Sequence, residues 1–403
     1  MIRFFKIFVF IPLVGFLSTS FNTNNINRYA NINESSEKIH NKLLFYRNEN
    51  LKKKVADIVI KEYKIDSIFR NLAYSNKFNG CVLVAQHGQV IYKNSFGQAN
   101  PQLNEPLMNN SVFQLASVSK TITAVATLLL IEQEILGLDD YVATYFPDFP
   151  YTDVTIRQLL SHRSGIPDYI KLDKRHYPAS VMYYTNLDAY NALCSARAGR
   201  EFNANARFKY NNSNYMLLGL LVEKLSGMSF QDYAKKYIFE PLGMKNSYFA
   251  YPDQIWNMEN RTFGLYPNNQ IHPIDKFDGV FGDKGAYSTI EDMYRFDRAL
   301  YPDVLLKKTT LDLAFSNHVW ESSSNKQYGL GFRLRVDQNK QKIIYHNGWW
   351  HGYRTAFHRR ESDNSCVIIL SNRLNPIVYH KAKEMFNILD NFNSHEEDQG
   401  TDE

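Results

Sequence analysis

The β-rich runs of this chain lie at its two ends, and its apolar helical runs lie between them. That arrangement restricts the fold more than any other feature. Gly80-Cys-Val-Leu-Val-Ala-Gln-His-Gly-Gln-Val-Ile-Tyr-Lys93 reads as two strands joined at His87-Gly88, a hairpin signal. The other β-rich runs come late, at 329–336, 342–345, 353–358 and 365–371. Strands at both ends with helices between imply one antiparallel sheet assembled from distant segments. The expected fold is therefore α+β: an antiparallel β-sheet flanked by helices, plus a mostly helical inserted subdomain. The sheet part is expected over about 68–115 and 285–392, and the helical part over about 116–284.

Helical spacing is clearest at 51–73, where Val55, Ile58, Ile60, Tyr63, Ile65 and Ile68 recur among charges. A long apolar helix is expected from the Ser117 region to Gln133, before Leu136-Gly-Leu-Asp-Asp140. Thr155-Ile-Arg-Gln-Leu-Leu160 has a capping-type start. Shorter helices are expected at 216–225, 230–238, 290–300 and 379–392. No internal repeat is visible.

The N-terminus reads as a secretory signal over 1–20. Arg3 and Lys6 precede the apolar stretch Ile7–Leu17, and Ser18-Thr-Ser20 supplies small residues. The apolar stretch is short for a membrane span. Left uncleaved, it would be an N-terminal anchor. An Asn-rich spacer is expected over 21–50, one large domain over 51–392 and an acidic tail over 393–403. Export to a bacterial periplasm or to the medium follows from that leader. The chain is 44% hydrophobic with a net charge of +5, and its basic residues form no run or aromatic stripe, so nucleic acid is not an expected partner. Its three cysteines, Cys81, Cys194 and Cys366, suit neither a disulfide scaffold nor a zinc site. His346 and His351 are the nearest thing to a metal pair, and no His-Glu-x-x-His occurs. No metal and no cofactor is expected.

The strongest chemical signal is Phe113-Gln-Leu-Ala-Ser117-Val-Ser-Lys120, followed by Thr-Ile-Thr-Ala-Val-Ala-Thr-Leu-Leu-Leu130. It sets a serine at the start of an apolar helix with a lysine one turn later. Residues three apart share a helix face. A neutral amine there could take the serine proton, which an otherwise weak hydroxyl nucleophile requires. Ser-x-x-Lys also occurs at Ser35–Lys38 and Ser323–Lys326, but in polar stretches with no apolar run behind them. Two further constellations follow. Tyr210-x-Asn212 lies at a turn into an apolar helix, where a lysine ammonium would ease loss of the phenolic proton and the asparagine amide can both donate and accept. Tyr345-His346-Asn347-Gly348-Trp349-Trp350-His351-Gly352-Tyr353 ends a strand in His-x-Gly, where glycine allows close backbone approach.

In this order, Ser117-x-x-Lys120, Tyr210-x-Asn212 and His346-x-Gly348 resemble the three motifs of the penicillin-recognising serine hydrolases, in the class C β-lactamase-like branch. Leu159–Tyr169, Phe239–Met244, Gly282–Thr289 and Tyr328–Gly331 look like supporting stretches of the same family. The resemblance runs from about Ile68 to Asn391 and implies a β-lactamase/transpeptidase-like fold. It implies Ser117 as nucleophile, Lys120 and Tyr210 as the proton-handling pair, and Asn212 orienting the substrate. Asn347 joins His346, Gly348 and Trp349 in substrate binding, and the Ser117 and Trp349 N–H groups form the oxyanion hole. No Gly-x-Ser-x-Gly elbow exists, which argues against an α/β-hydrolase.

One departure shifts the expected substrate. Lys-Thr-Gly is usual at the third motif, and here it is His346-Asn347-Gly348. A histidine titrates near pH ~6.5, so carboxylate recognition is expected to weaken or to depend on pH, with Arg354 assisting. Trp349 and Trp350 are expected to form an apolar shelf. The implied function is a D-Ala-D-Ala carboxypeptidase, D-peptidase or esterase rather than a dedicated β-lactamase. Its substrate is a small molecule or peptide: a cell-wall D-peptide, an ester or a β-lactam. The alternative is a penicillin-binding sensor of cell-wall peptides with slow or no turnover.

Overall fold

A computed structural model describes residues 49–320 and 327–391. The leader, most of the spacer, the acidic tail and the serine–lysine pairs at 35–38 and 323–326 lie outside the described residues. The chain divides into two units, Met1–Tyr63 and Lys64–Glu403. The described part of the first is the opening turns of helix α1 (Glu49–Tyr74). Everything below concerns the second.

Eight strands form one antiparallel sheet. They are β1 (Gly80–Gln86), β2 (Gln89–Phe96), β3 (Val319–Trp320), β4 (Gln327–Tyr328), β5 (Arg333–Val336), β6 (Lys342–Trp350), β7 (Tyr353–Arg360) and β8 (Ser365–Ser371). Their spatial order is β2-β1-β8-β7-β6-β5-β4-β3. The early hairpin therefore joins the late strands through β1 and β8, with Gly80 opposite Ser371 and Ala85 opposite Cys366. Both tight hairpins use His-Gly. His87 (φ 53°) and Gly88 (φ 71°) join β1 to β2, and His351 (φ 40°) and Gly352 (φ 87°) join β6 to β7. Two successive positive φ values match the strand twist in a two-residue turn.

Alternation divides the sheet's side chains between two cores. Leu83, Ile344, Phe357, Ile368 and Leu370 face one, while Val82, Ile343, Ala356, Val367 and Ile369 face the other. The first is covered by α2 (Ser119–Glu132) and α5 (Ile290–Ala299), the second by Ile65 and Phe69 of α1 and by α6 (Ile377–Leu389). Burying each large aliphatic or aromatic side chain contributes about 1.5–3 kcal/mol, so a sheet apolar on both faces must be covered on both. Cys81 and Cys366 are buried free thiols in this sandwich, and Cys194 is a half-buried one.

The helical region holds α3 (Asn186–Ala196) and α4 (Asn212–Ser226). Thr155 and Thr185 each close a capping box at the helix that follows. A second sheet, formed by Phe113–Gln114, Ala286–Ser288 and Tyr248–Phe249, lies where the chain leaves and re-enters the main sheet. It brings residue 113 beside residue 288, and the Leu115 N–H donates to the Ala286 carbonyl at 2.8 Å. Two late strands run further than their composition implied. β6 continues to Trp350 because β7 pairs with it throughout, and β7 continues through Arg359 and Arg360 because both guanidinium groups find carboxylates.

Candidate active site

Ser117 lies on a short 3-10 turn, Ala116–Val118, and α2 begins only at Ser119. The serine thus stands two residues before the α-helix rather than in its first turn. Ala116 has φ 49°, an uncommon backbone for a residue with a Cβ. The turn is gripped from the sheet. Thr355 Oγ1 on β7 donates to the Leu115 carbonyl at 2.7 Å. A Cβ on Gly348 would lie 2.4 Å from the Leu115 oxygen and 3.1 Å from Ala116 Cβ. Only glycine lets β6 abut the nucleophile turn this closely.

Lys120 on α2 is fully buried. Its Nζ reaches Ser117 Oγ at 3.2 Å, Asn212 Oδ1 at 2.9 Å and the Asp283 carbonyl at 2.7 Å. Among the described residues no carboxylate lies within ion-pair distance of it. Burial lowers its pKa, Arg333 lowers it further, and the Asp283 and Asp168 carboxylates oppose both, leaving it at about 8. A neutral amine has two N–H donors and one lone pair. The Asp283 carbonyl can only accept, and Asn212 Oδ1 is a second acceptor. With both N–H groups so engaged, the lone pair is left for the Ser117 hydroxyl. Asn212 opens α4, whose N-cap is the Asn211 side chain accepting from the Ser213 N–H at 2.8 Å. The Asn212 amide also meets Asp168 Oδ2 at 3.4 Å, which fixes which way it points. Burial and the neighbouring Asp283 raise the Asp168 pKa.

Tyr210 immediately precedes that cap. Lys120 Nζ stands 4.9 Å from its ring centroid, and the Arg333 guanidinium 5.3 Å. Its hydroxyl is buried and has no partner of normal hydrogen-bond geometry. Burial pushes its pKa well above the usual phenol range, and the nearby Ser117 side chain and Arg333 only partly offset this. The expected easing of the phenolic proton is corrected here: the cost of burying a phenolate exceeds the help from neighbouring cations.

β6 sends its residues to alternate faces. His346, Gly348 and Trp350 face the nucleophile, and Asn347 and Trp349 face away. His346 is 1% exposed, with Nδ1 2.8 Å from the Asn347 carbonyl and Nε2 3.3 Å from Tyr328 Oη. Burial holds its pKa well below 6.5, assisted by Arg333 and Lys120. That burial favours the neutral imidazole over the titrating carboxylate receptor expected. Asn347 Oδ1 meets His358 Nε2 at 2.9 Å on the far face. Trp349, 63% exposed, covers the Arg354 guanidinium at 4.7 Å on that same face. Trp350 packs on the nucleophile's side, its indole N–H donating to Asp278 Oδ1 and its ring 4.8 Å from Lys284 Nζ. The two tryptophans therefore form no common shelf, and Arg354 lies across the sheet from Ser117.

Three groups central to this geometry escaped the motif reading. The Asp283 carbonyl holds Lys120, while the Asp283 carboxylate meets Tyr169 Oη at 3.1 Å and Lys284 Nζ at 3.4 Å. Arg333 on β5 supplies the guanidinium beside Tyr210. Asp168 orients Asn212. Asp168 and Asp283 both fall within the supporting stretches, which was their only signal. No group of three metal-ligating side chains occurs among the described residues.

Residues 65–391 match the family described as Beta-lactamase. The chain is 34% identical to penicillin-binding protein 4* of Bacillus subtilis (strain 168), over 80% of this chain and 74% of that protein. It is 23% identical to a D-aminopeptidase of Gluconobacter oxydans (strain 621H), over 73% of this chain and 56% of that one. Its fold superposes on the crystal structure of a penicillin-binding protein from Bacillus halodurans with a TM-score of 0.69, at 26% identity, covering 79% of this chain and 98% of that one. The ordered motifs, the sheet with its helical insertion and these likenesses agree, and the chain belongs to the Beta-lactamase family of serine hydrolases.

Proposed function

We propose that this protein is an exported hydrolase of D-peptides, acting as a D-Ala-D-Ala carboxypeptidase or D-peptidase through an acyl-enzyme on Ser117. The observation that carries the reading is Lys120: buried, without a carboxylate partner among the described residues, and bonded at once to Ser117 Oγ and to two fixed acceptors. Lys120 is the base in this reading, because burial brings its amine towards neutrality and holds Tyr210 as a phenol. Ser117 Oγ attacks the carbonyl carbon and its proton passes to Lys120 Nζ. The N–H groups of Ser117 and Trp349 stabilise the oxyanion, a contribution of about 3–4 kcal/mol for such donors elsewhere. As the tetrahedral intermediate collapses, the Tyr210 hydroxyl gives its proton to the leaving amine and is resupplied from Lys120. Water then attacks the acyl-enzyme with the same base.

The choice of a D-peptide over a neutral ester is supported by the likeness to penicillin-binding protein 4* and to a D-aminopeptidase. Export rests on the leader pattern of residues 1–20. The test is intact-protein mass spectrometry after mixing with D-Ala-D-Ala peptides, D-amino-acid amides, short-chain esters and penicillins. A Ser117-dependent acyl adduct with release of D-alanine is expected, absent in Ser117→Ala. Adducts without turnover would indicate a sensor, and no adduct with any of the four would refute the acyl-enzyme.

A further inference from the structure

We propose that His162 and Tyr328 are positioning residues that lock His346 as a neutral imidazole with its proton on Nδ1. Two stretches outside the three catalytic motifs supply them. His162 follows the helix Ile156–Leu160 in left-handed backbone (φ 56°), and Tyr328 is on β4. Both side chains are fully buried.

The proton positions follow from the partners at each end. His162 Nδ1 lies 3.2 Å from the Asn211 backbone N–H, a group that can only donate. The Asn214 amide nitrogen is 3.0 Å from the same atom, and its orientation is fixed by Ser164 Oγ, 2.6 Å from Asn214 Oδ1. His162 Nδ1 is therefore an acceptor, and a neutral ring carries its proton on Nε2. That proton points at Tyr328 Oη, 3.2 Å away. At the other end, His346 Nδ1 faces the Asn347 carbonyl, which can only accept. Its Nε2 is then bare and takes the Tyr328 hydroxyl proton at 3.3 Å. Each end fixes its own tautomer, and the Tyr328 hydroxyl, accepting once and donating once, satisfies both, while the Tyr215 hydroxyl beside it sends its own proton to the Leu160 carbonyl at 2.8 Å.

The chain of bonds is a lock and not a proton wire. It terminates on amide N–H groups at Asn211 and Asn214, which cannot give up a proton to His162. No net proton can therefore enter or leave the site through it. Its effect is on geometry and charge. The His346 Nδ1–H holds the carbonyl of Asn347, immediately before Gly348 and the Trp349 N–H. Among the described residues the charged groups facing His346 are Lys120 of α2 and Arg333 of β5, both cations, and its titratable neighbours are Tyr210, Tyr328 and His162. A protonated His346 would be a third positive charge among them. The lock lets histidine stand where a lysine is usual without adding that charge. The catalytic role assigned to the lock rests on the acyl-enzyme reading of Ser117; the tautomer itself does not.

The experiment is 15N NMR of the full enzyme carrying 15N-histidine, with His346 assigned by its loss in His346→Gln. In the wild type His346 should show a protonated Nδ1 and a bare Nε2 from about pH 5 to 8, the range in which free histidine titrates. Tyr328→Phe keeps the ring and removes the hydroxyl. It should give mixed tautomers or titration of His346 within that range. In the same variant kcat/KM should fall about tenfold, the scale of one hydrogen bond, and the acid limb should steepen below the pH at which His346 titrates. A lowered melting temperature with unchanged tautomer and pH profile would overturn the proposal. So would a wild-type His346 that carries its proton on Nε2 or titrates between about pH 5 and 8, a result that needs neither a folded variant nor a substrate.

Discussion

Among the described residues two cationic side chains, Arg359 and Lys120, are completely buried, and they are held in opposite ways. Arg359 on β7 bonds Asp297 Oδ1 at 2.9 Å and Glu361 Oε1 at 3.3 Å, with the Tyr301 ring 4.6 Å away. Burial alone would lower its pKa, but Asp297, Tyr301 and Glu361 together outweigh it and the net shift is upward. Lys120 is equally buried, and among the described residues its hydrogen-bond partners are all neutral oxygens. Its pKa moves down, to about 8. A buried charge that serves the fold is paired, because an unpaired one costs several kcal/mol. A buried amine left unpaired has been made ready to lose its proton, and that is where catalysis is to be sought.

Substituting each cation by methionine should break this contrast if it is wrong. Lys120→Met should lower acylation of Ser117 by about 10²–10⁴, the usual scale for a positioned base, measured by stopped-flow adduct formation. Its stability at pH 7 should equal or exceed that of the wild type. The sign follows from linkage: an amine whose folded pKa is about 8 and unfolded value 10.5 destabilises the native state below pH 8, and the penalty fades as pH rises between those values. An unfolding midpoint well below wild type would show that Lys120 is structural. Gly348→Ala should reduce acylation by about 10²–10³, comparable to losing one oxyanion donor, because the new methyl would meet the Leu115 oxygen. An unaffected rate would detach β6 from the nucleophile turn. Arg359→Met should do the reverse of the lysine change. It should cost about 3–5 kcal/mol of stability by leaving Asp297 short of a partner, seen in urea unfolding, while kcat/KM of the folded fraction stays near wild type. The finest test is the pH profile. Acylation should rise about tenfold per unit below pH 8 and level off above it, as expected for a base that must be unprotonated. A flat profile from pH 6 to 9 would remove Lys120 as the titrating base.

Much of this was legible in the residues. The early hairpin, the late strands and the helix after Ser117 followed from periodicity and turn chemistry, and the motifs appeared in a recognisable order. What failed did so for physical reasons. The β-rich composition of β6 stops at Tyr345, so the alternation that turns Trp349 and Arg354 away from the nucleophile is not visible in the next five residues. The low pKa of His346 comes from burial, which a motif does not display. The Asp283 carbonyl had no signature at all, since every residue owns one. Arg333 became relevant only through the pairing of β5 with β6, which sets it opposite Tyr345.

The pairing of β1 with β8 also has a consequence for how the protein is made. Strands so far apart in sequence cannot meet until nearly the whole described chain exists, and folds dominated by such distant pairings form slowly. Ser117 and Lys120 are synthesised early, but the turn that presents the serine is gripped by Thr355 and abutted by Gly348. A nascent or truncated chain therefore carries the nucleophile without the strands that hold and complete its site, and activity arrives only with the last strands.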